Sequence, residues 1–518
     1  MKKMIYSAIM LSALALTACS DDNFAGDPEK DWAGTTTTFA DLNDDADDAF
    51  STYYKPGIGR VGDPMPFYDA KAGDFKVLYL QEYPNNPTYR FHPIWGVSTK
   101  DGVNYQSFGE VISVGENDYV QDAAIGTGCA YYSEKDGLYY IYYTGHNGNC
   151  TNREVIMRAT SSDFKNWTKD INWRLNGPDY GFAGSDFRDP QIFQDSGAYY
   201  MVITSKNTFA YFKSENMKDW TCEGRFNMVW DRMCECPDVF KMGDKWYLIY
   251  SEAFRTDWSR KVKYMMADSF EGLRHCFDDP GANWPKDDKE GVLDTRAFYA
   301  AKTASNGTDR YIWGWCPFRT GATIHDKNIA VGAEGEPNWS GALVCHKLIQ
   351  HEDGTLTVGE VPAMAAKYNK TVEAKVMEKN NDYILYSRLG NHNHISFTIQ
   401  MPSDADRFGV SFVRGTDATK YYSLVVNPEW ANGRRKVNFE QEGAEGKGFI
   451  PGADGYIFKT PADNKYDVDI YTDNSVVTMY INGVYGCTQR IYGIYKNCWS
   501  INTYGAAATV SDVKVSQY

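Results

Sequence analysis

The chain has 518 residues, of which 43% are hydrophobic, 15% aromatic and 23% charged, and its formal charge is −15 at pH 7. This composition is typical of a globular protein with a sizeable core, and the length predicts two or more domains. Such a negative surface repels phosphate backbones, so we expect no nucleic acid partner.

Residues 1–18 have the pattern of a signal peptide. Two lysines precede an apolar stretch, residues 4–16, that is too short to span a bilayer. It ends in Leu16-Thr17-Ala18-Cys19, which resembles a bacterial lipoprotein processing site with Cys19 as the lipidated first residue. The alternative is an ordinary cleaved signal followed by a chance cysteine. We expect residues 19–50 to form a tether, and the protein to be lipid-anchored in the bacterial cell envelope, on the outer or cytoplasmic membrane, periplasmic or surface-facing.

Cysteine usage argues against a metal framework. Ten cysteines remain after Cys19, and none of them form CxxC pairs. A structural zinc site or a thiol redox motif normally shows such pairs. The cysteine spacing thus argues against a zinc framework and a thiol redox motif, and we expect no metal and no cofactor.

Short strand patterns recur along the first part of the chain. Five runs rich in aromatic and branched residues follow turn signals at intervals of about 45–60 residues, namely Val77–Leu80, Leu138–Tyr143, Tyr199–Ile203, Trp246–Tyr250 and Tyr311–Trp315. A second element recurs between them, at Ser98–Tyr105, Ser161–Trp167 and Ser214–Trp220, as a strand end, a polar turn and an aromatic residue. This recurrence predicts a five-bladed β-propeller over residues 51–362, with a large sandwich as the alternative.

The remainder, residues 363–518, alternates between apolar and polar positions. Strand candidates are Ile395–Ile399, Phe408–Val413, Tyr422–Val426 and Val476–Ile481, with turns such as Asn482-Gly483 between them. Short antiparallel strands at this spacing predict a β-sandwich. The fold class we expect is therefore all-β, a five-bladed propeller followed by a C-terminal β-sandwich.

Three acidic motifs stand just before predicted strands. They are Gly62-Asp63-Pro64, Arg188-Asp189-Pro190 and Glu235-Cys236-Pro237. Each alone is explained by an ordinary Asp-Pro turn or a surface ion pair. Together, at the starts of propeller blades, they predict carboxylates that converge on one axial pocket. Carboxylates that converge repel one another, so a functional reason for their placement is expected. Hydrolysis of a glycosidic bond is such a reason, because it uses one carboxylate as nucleophile and another carboxyl group as proton donor.

These motifs resemble those of glycoside hydrolase family 32, the invertases, inulinases and levanases. Asp63 falls in the family's Asn-Asp-Pro-Asn position, and the Arg-Asp-Pro and Glu-Cys-Pro motifs match at every position. Other segments follow in family order, namely Leu78–Tyr83, Ile94–Thr99, Leu293–Ala300, Trp313–Trp315, Asn338–Leu343 and Asp473–Gly483. The resemblance runs from about Arg60 to the C-terminus and implies a propeller followed by a sandwich.

The resemblance also implies roles. Asp63 is the expected nucleophile, Glu235 the general acid and base, and Asp189 the residue that binds sugar hydroxyls and stabilises the oxocarbenium-like transition state. Gln81, Trp95, Arg188 and Trp315 are the expected sugar-binding residues, and Trp313 or Trp315 either walls the pocket or packs a blade. Arg188 is expected to keep Asp189 ionised. Retention of configuration implies carboxyl groups of Asp63 and Glu235 about 5–5.5 Å apart.

The chain also departs from the family pattern. Arg60-Val61-Gly62 replaces the family's Trp-Met-Asn, Met65 replaces an Asn, and Thr127-Gly128-Cys129 replaces Ser-Gly-Ser. An amide and an indole that normally touch the fructosyl unit are therefore missing. The expected substrate is an oligo- or polysaccharide with β-fructofuranosidic bonds, such as levan, inulin or sucrose. Two alternatives remain, a non-catalytic glycan-binding lipoprotein with a degenerate site and a propeller glycosidase that acts on arabinose- or xylose-containing glycans.

Overall fold

A computed structural model describes most of the chain after the first 49 residues. The described residues are 50–57, 59–82, 92–227, 233–253, 260–276, 290–317, 339–414, 421–429, 433–442, 448–449, 457–491 and 493–518. The predicted signal peptide, Cys19 and the predicted tether up to residue 49 lie outside this set, and so does Asn338. Within it, no helix has the length and apolar character needed to cross a membrane.

Among the described residues, twenty strands form five blades. The first blade contains β1 (Arg60–Asp69), β2 (Asp74–Glu82), β3 (Ile94–Thr99) and β4 (Gln106–Ile112). The second contains β5 (Ala124–Ser133), β6 (Leu138–His146), β7 (Glu154–Ser161) and β8 (Thr168–Lys169). The third contains β9 (Phe187–Asp195), β10 (Ala198–Ser205), β11 (Thr208–Ser214) and β12 (Thr221–Arg225).

The fourth blade contains β13 (Met233–Met242), β14 (Lys245–Ala253), β15 (Arg260–Ala267) and β16 (Glu290–Leu293). The fifth contains β17 (Tyr299–Ser305), β18 (Arg310–Pro317), β19 (Gly341–Gln350) and β20 (Leu356–Gly359). A 3₁₀ turn, Gly177–Tyr180, precedes the third blade, and a short helix, α1 (Phe270–Arg274), lies in the fourth. All strand pairs within the blades are antiparallel.

Each of the five predicted runs is the second strand of a blade. The second strands are nearly continuous apolar runs, and in β6 every residue from Tyr139 to Gly145 is buried. A strand that is covered on both faces by neighbouring blades needs apolar residues on both faces, so period-2 alternation is lost. The prediction of five blades is confirmed.

The recurrent polar turn joins the third strand of a blade to the fourth. In blades 1, 2 and 3 the turn residue is Asp101, Asp163 or Asn216, and its side chain accepts hydrogen bonds from backbone N–H groups two and three residues further along. A side chain that caps its own turn explains why Asp or Asn recurs there.

The five innermost strands form a closed ring. Strand β1 contacts β5, β5 contacts β9, β9 contacts β13, β13 contacts β17, and β17 contacts β1. The first and fifth blades are also joined in one sheet, because β1 pairs with β19 at Val61 and Gly341. The ring encloses an axis onto which residues far apart in the sequence can project.

Each innermost strand carries a β-bulge near its start. In β1, Asp63 and Pro64 lie opposite the single residue Tyr79. The corresponding irregularities fall at Thr127 in β5, Asp189-Pro190 in β9, Cys236-Pro237 in β13 and Ala300-Ala301 in β17. A bulge interrupts the ladder and re-aims a side chain, and proline is tolerated there because its missing N–H is not needed for pairing. The bulge therefore explains why proline accompanies the acidic motifs of blades 1, 3 and 4.

The C-terminal strands form a two-sheet sandwich. One sheet has the order β21 (Lys370–Val372), β34 (Thr509–Gln517), β24 (His392–Gln400), β30 (Lys465–Asp473), β31 (Val476–Ile481), β32 (Tyr485–Arg490). The other has the order β22 (Val376–Lys379), β23 (Tyr383–Tyr386), β33 (Cys498–Asn502), β25 (Phe408–Arg414), β26 (Tyr421–Glu429), β27 (Arg434–Glu442), β28 (Gly448–Phe449), with β29 (Ile457–Lys459) also paired to β27. In β24 every second residue is buried, as expected for a sheet with one core face. The predicted sandwich and its four quoted strands are confirmed.

A short helix, α2 (Met364–Lys367), lies in the chain between the two domains. A buried polar network joins the domains. Asp294, from the end of the fourth blade, accepts hydrogen bonds from the Thr488 backbone N–H and hydroxyl at 2.6 Å and lies 2.9 Å from His346 Nε2. Arg490 donates to the carbonyl oxygens of Pro317 and Cys316. These buried groups are hydrogen-bonded, as burial requires, so the sandwich packs directly against the propeller.

The ten cysteines after Cys19 are free thiols.

Candidate active site

Asp63 is held by two donors from other blades. Its Oδ2 accepts a hydrogen bond of 2.6 Å from Thr127 Oγ1, and its Oδ1 accepts one of 3.0 Å from Trp315 Nε1. In β1 its neighbours Gly62 and Pro64 are buried, whereas Asp63 is only partly buried. Two fixed donors orient the carboxyl group, and the partial exposure leaves it accessible from the axis.

Asp189 lies in β9 of the third blade and is buried. Its Oδ2 accepts hydrogen bonds from the Cys236 backbone N–H at 3.0 Å and from Thr204 Oγ1 at 3.4 Å. Its own N–H donates to Thr144 Oγ1, and its backbone has the left-handed φ of +60°. Burial is the main cause that raises the pKa of Asp189 to about 6; the Arg188 charge opposes the rise, and the Glu235 and Asp63 charges add to it.

Glu235 accepts hydrogen bonds on both carboxyl oxygens. Arg188 Nη2 donates to Oε1 at 2.9 Å, and the Tyr299 hydroxyl donates to Oε2 at 2.8 Å. Arg188 also lies 2.7 Å from Asp186, 3.4 Å from Glu154 and 3.7 Å from Asp189. Arg188 therefore lies closer to Glu235 than to Asp189, but it also forms the expected ion pair with Asp189 and lowers the pKa of that carboxyl against the larger effect of burial. Burial alone lowers the pKa of the Arg188 guanidinium, but the charges of Glu235, Asp189 and Glu154 outweigh it and raise that pKa well above its usual value.

The three carboxylates line one cavity of about 440 Å³ at the propeller axis. Its lining also includes Arg188, Cys236 and Thr144, with one wall from Ala124 to Thr127, a second from His146 and Glu154, and a third from Leu80, His92 and Trp339. The volume suits one or two small polar rings. Since the motifs are more than 40 residues apart in the sequence, only ring closure brings them together.

The other predicted site residues have different positions. Arg188 lines the cavity, but Gln81, Trp95 and Trp315 are not among its described lining residues. Gln81 and Trp315 are buried, and Trp315 acts on Asp63 through its indole N–H rather than as a wall. Trp313 is also buried and donates to the Tyr105 hydroxyl, so it packs a blade. Direct sugar contact by Gln81 and Trp95 stays a prediction.

Sequence reasoning did not assign roles to several polar neighbours of the carboxylates. Thr127 and Tyr299 donate to Asp63 and Glu235, and Glu154 accepts from the Phe187 N–H and from Arg188. The lining residues His146 and Trp339 were also missed. Thr127 lies in the bulge of β5, and Tyr299 comes just before the bulge of β17. The regular spacing of the innermost strands along the sequence was the signal that could have identified both residues.

A buried lysine, Lys302 of β17, influences the charge of the site. Lys302 Nζ donates to the Gly128 carbonyl oxygen at 2.9 Å, and it is 3% exposed. Its positive charge lowers the pKa of Asp189, against the larger effect of burial.

Among the residues that the structure describes, no group of three or more His, Cys, Asp or Glu side chains is arranged to hold a metal ion.

The fold and the carboxylate cavity place the chain in the propeller class of glycoside hydrolases. Residues 55–358 match the family model "Glycosyl hydrolases family 32 N-terminal domain", and residues 354–515 match "GH32, BT1760-like, C-terminal domain". The chain belongs to glycosyl hydrolases family 32.

Curated relatives and solved structures agree with this. The chain is 29% identical over 212 residues to sucrose-6-phosphate hydrolase of Bacillus subtilis, covering 38% of this chain and 42% of that protein. It is 28% identical over 106 residues to a levanbiose-producing levanase of Geobacillus stearothermophilus, covering 19% of this chain and 27% of that protein. The matched part thus spans less than half the length of these relatives. The fold is similar to exo-inulinase from Aspergillus awamori, with TM-score 0.69, 16% identity, and coverage of 90% of this chain and 97% of that one.

Proposed function

We propose that the protein is a retaining β-fructosidase that hydrolyses β-fructofuranosidic bonds in fructans or fructo-oligosaccharides. The observation that carries the proposal is the shared axial cavity of Asp63, Asp189 and Glu235, with each carboxylate fixed by donors from neighbouring blades. The family membership and the names of relatives, sucrose-6-phosphate hydrolases, a raffinose invertase and a levanase, support the substrate class.

In the first step Asp63 attacks the anomeric carbon. A bond forms between an Asp63 oxygen and that carbon while the bond to the leaving oxygen breaks, and Glu235 transfers its proton to that oxygen. In the second step ionised Glu235 takes a proton from water, and the water oxygen displaces Asp63 from the fructosyl carbon. Asp189, when ionised, accepts hydrogen bonds from ring hydroxyls and opposes the positive charge that develops on the sugar.

The two donors on Glu235 suggest which oxygen carries its proton. The Arg188 guanidinium can only donate, so Oε1 must keep a lone pair toward it. Oε2 has a second site besides the one that accepts from the Tyr299 hydroxyl, so it can carry the proton for the leaving oxygen in the first step while Tyr299 donates to it in both steps. Arg188 and Tyr299 thus serve both protonation states of Glu235.

Substitution of the acid tests the reaction. Glu235→Gln keeps the shape but not the proton transfer, so kcat on sucrose, inulin or levan should fall by about 10²–10⁴-fold. Glu215→Gln is the matched control, because its side chain is 71% exposed on the same propeller. Equal sugar release by wild type and Glu235→Gln would overturn the assignment.

The chemistry and the substrate class need separate measurements. Methanolysis by a retaining enzyme should give methyl β-fructofuranoside, and mass spectrometry of a trapped reaction should find a fructosyl group on Asp63. Chromatography across a polysaccharide panel separates the alternatives. Release from arabinose- or xylose-containing glycans alone would replace the fructoside proposal, and binding without any turnover would indicate a glycan-binding protein.

We also propose that Cys19 is lipidated and that residues 19–50 tether the enzyme to a membrane of the cell envelope. The proposal rests on the Leu16–Cys19 pattern and on the polar, acidic segment that follows it. In a bacterial host, wild type should fractionate with membranes and incorporate labelled fatty acid. Cys19→Ala should do neither, and an unchanged membrane fraction would contradict the anchor.

A further inference from the structure

Glu154 holds the start of the strand that carries Arg188 and Asp189. It is the first residue of β7 in the second blade, and it is buried. Its Oε2 accepts a hydrogen bond of 3.1 Å from the Phe187 backbone N–H and one of 3.4 Å from Arg188 Nη1. Its own backbone N–H donates to the Gly184 carbonyl oxygen at 3.2 Å. One residue of the second blade thus contacts both the main chain and the guanidinium at the start of the third.

The other oxygen of Glu154 is joined to an exposed arginine through His146. Arg153 Nε donates to His146 Nε2 at 3.4 Å, and His146 Nδ1 lies 3.3 Å from Glu154 Oε1. Because a guanidinium N–H can only donate, a His146 ring that accepts it at Nε2 carries its proton on Nδ1 and donates that proton's hydrogen bond to Glu154. Arg153 is exposed, whereas His146 and Glu154 line the cavity. The carboxylate is therefore held by donors on both oxygens.

Glu154 is ionised and well placed to attract the guanidinium. Burial raises its pKa, but the hydrogen bond from His146 and the charge of Arg188 outweigh burial, so the pKa of Glu154 lies below its usual value. Asp186 lies closer to Arg188, at 2.7 Å, but its side chain is 45% exposed, against 11% for Glu154. Solvent and salt therefore screen the charge of Asp186 more than that of Glu154.

We infer that Glu154 is a positioning residue for the proton transfer by Glu235, and that it acts through Arg188. This inference rests on the proposed function and adds a residue to it. Glu154 holds Nη1 of the guanidinium, and Nη2 of the same group donates to Glu235 Oε1 at 2.9 Å. The guanidinium is planar, so fixing one N–H direction also fixes the other. Glu235 Oε1 is thereby kept as an acceptor, which leaves Oε2 to carry the proton to the leaving oxygen.

A change of leaving group separates positioning from general damage to the fold. Sucrose needs a proton on its leaving oxygen, whereas 4-nitrophenyl β-fructofuranoside releases a stabilised phenolate that needs none. The ratio kcat/KM reports substrate binding and this first bond cleavage, and not the later attack by water. Glu154→Gln keeps the size and an oxygen for the Phe187 N–H but removes the charge beside Arg188. Its kcat/KM should fall about 10–100-fold on sucrose and less than about 3-fold on the aryl substrate.

A second variant approaches the same contact from its other side. His146→Ala removes a donor to Glu154 and leaves the Phe187 and Arg188 contacts in place, so it should show the same preference for the aryl substrate with a smaller loss on sucrose, about 3-fold. It decides the question if Glu154→Gln does not fold, which thermal unfolding midpoints measure. Glu134→Gln, an exposed glutamate of the same blade, is the matched control and should equal wild type on both substrates.

Glu235→Gln separates failure of this inference from failure of the proposed function. Its kcat/KM should fall more on sucrose than on the aryl substrate, and adding Glu154→Gln should cause no further loss on sucrose, because the group on which Glu154 acts is already gone. Equal losses of Glu154→Gln on both substrates, full activity on sucrose, or additive losses in the double variant would overturn the role of Glu154. Hydrolysis of neither β-fructoside by wild type would instead overturn the proposed function.

Discussion

The buried carboxylates of the propeller and of the sandwich differ in their surroundings. In the sandwich, Asp473 is fully buried, accepts hydrogen bonds from the backbone N–H groups of Ser51, Thr52 and Tyr53, and lies 2.7 Å from His392 Nδ1. In the propeller, Asp189 is also buried but shares an open cavity with two further carboxylates. A carboxylate whose oxygens accept hydrogen bonds from the backbone holds the chain in place. Carboxylates grouped around a cavity can still accept hydrogen bonds from a ligand.

The largest expected effect is on Asp189. Asp189→Asn removes a charge that binds and stabilises the sugar, so kcat/KM should fall by about 10²–10⁴-fold. The same change should stabilise the protein at pH 7 by up to about 3 kcal/mol, because ionisation of a carboxyl whose pKa is raised to about 6 costs folding free energy. Enzyme assays and denaturant unfolding measure the two effects.

The sign of this stability effect depends on pH. Between about pH 4 and pH 6 folded Asp189 keeps a proton that the unfolded chain loses, so native stability falls as pH rises through this window. The gain from Asp189→Asn should accordingly shrink toward pH 4. Asp195→Asn, a partly buried position at the far end of the same strand and outside the residues that line the cavity, should change neither activity nor stability. A destabilised but active Asp189→Asn would break the comparison.

Asp473 should show the opposite behaviour. Asp473→Ala leaves buried backbone N–H groups at residues 52 and 53 without their acceptor and should cost about 3 kcal/mol in the free energy of unfolding. KM and kcat below the unfolding temperature should remain near wild type, because the residue belongs to the sandwich. Asp404→Ala, an exposed position of the same domain, is the control. A large loss of kcat with unchanged stability would contradict a structural role.

Thr127 provides a smaller and more local test of the propeller site. Thr127→Val keeps the side-chain volume but removes the 2.6 Å hydrogen bond to Asp63 Oδ2, leaving the Trp315 donor on the other oxygen. We expect kcat to fall about 10-fold because Asp63 loses one of the two donors that orient it, and the free energy of unfolding to fall by no more than about 1.5–3 kcal/mol, the contribution of a hydrogen bond to a charged group. Thr151→Val, an exposed threonine of the same blade region, should match wild type in the same steady-state assay. Full activity of Thr127→Val would show that Asp63 does not need this donor.

The smallest effect is the pH profile of the wild type. Because Asp189 must be ionised to bind and stabilise the sugar, kcat/KM should decline as pH falls through about 6. Initial rates from pH 4 to pH 8 at low substrate concentration measure this limb. A flat profile down to pH 4 would mean that Asp189 is ionised throughout or does not take part.

Much of the fold was predictable because it rests on local patterns. The aromatic second strands, the capped turns at Asp101 and Asp163 and the alternation in β24 are each encoded within about ten residues. The acidic motifs were recognisable too, since Asp-Pro and Cys-Pro pairs mark the bulges of the inner strands. The partners of those carboxylates were not recognisable, because Thr127, Trp315 and Tyr299 are 64, 252 and 64 residues away from the groups they contact.

The sequence by itself determined the strands, the blade repeat, the sandwich and the identity of the three carboxylates. Only the tertiary structure decided that Arg188 pairs with Glu235, that Trp315 supports Asp63 instead of walling the cavity, and that Trp339 lines the cavity. The physical reason is that strand patterns arise from interactions between near neighbours in the chain, whereas the site forms where a closed ring brings distant bulges to one axis.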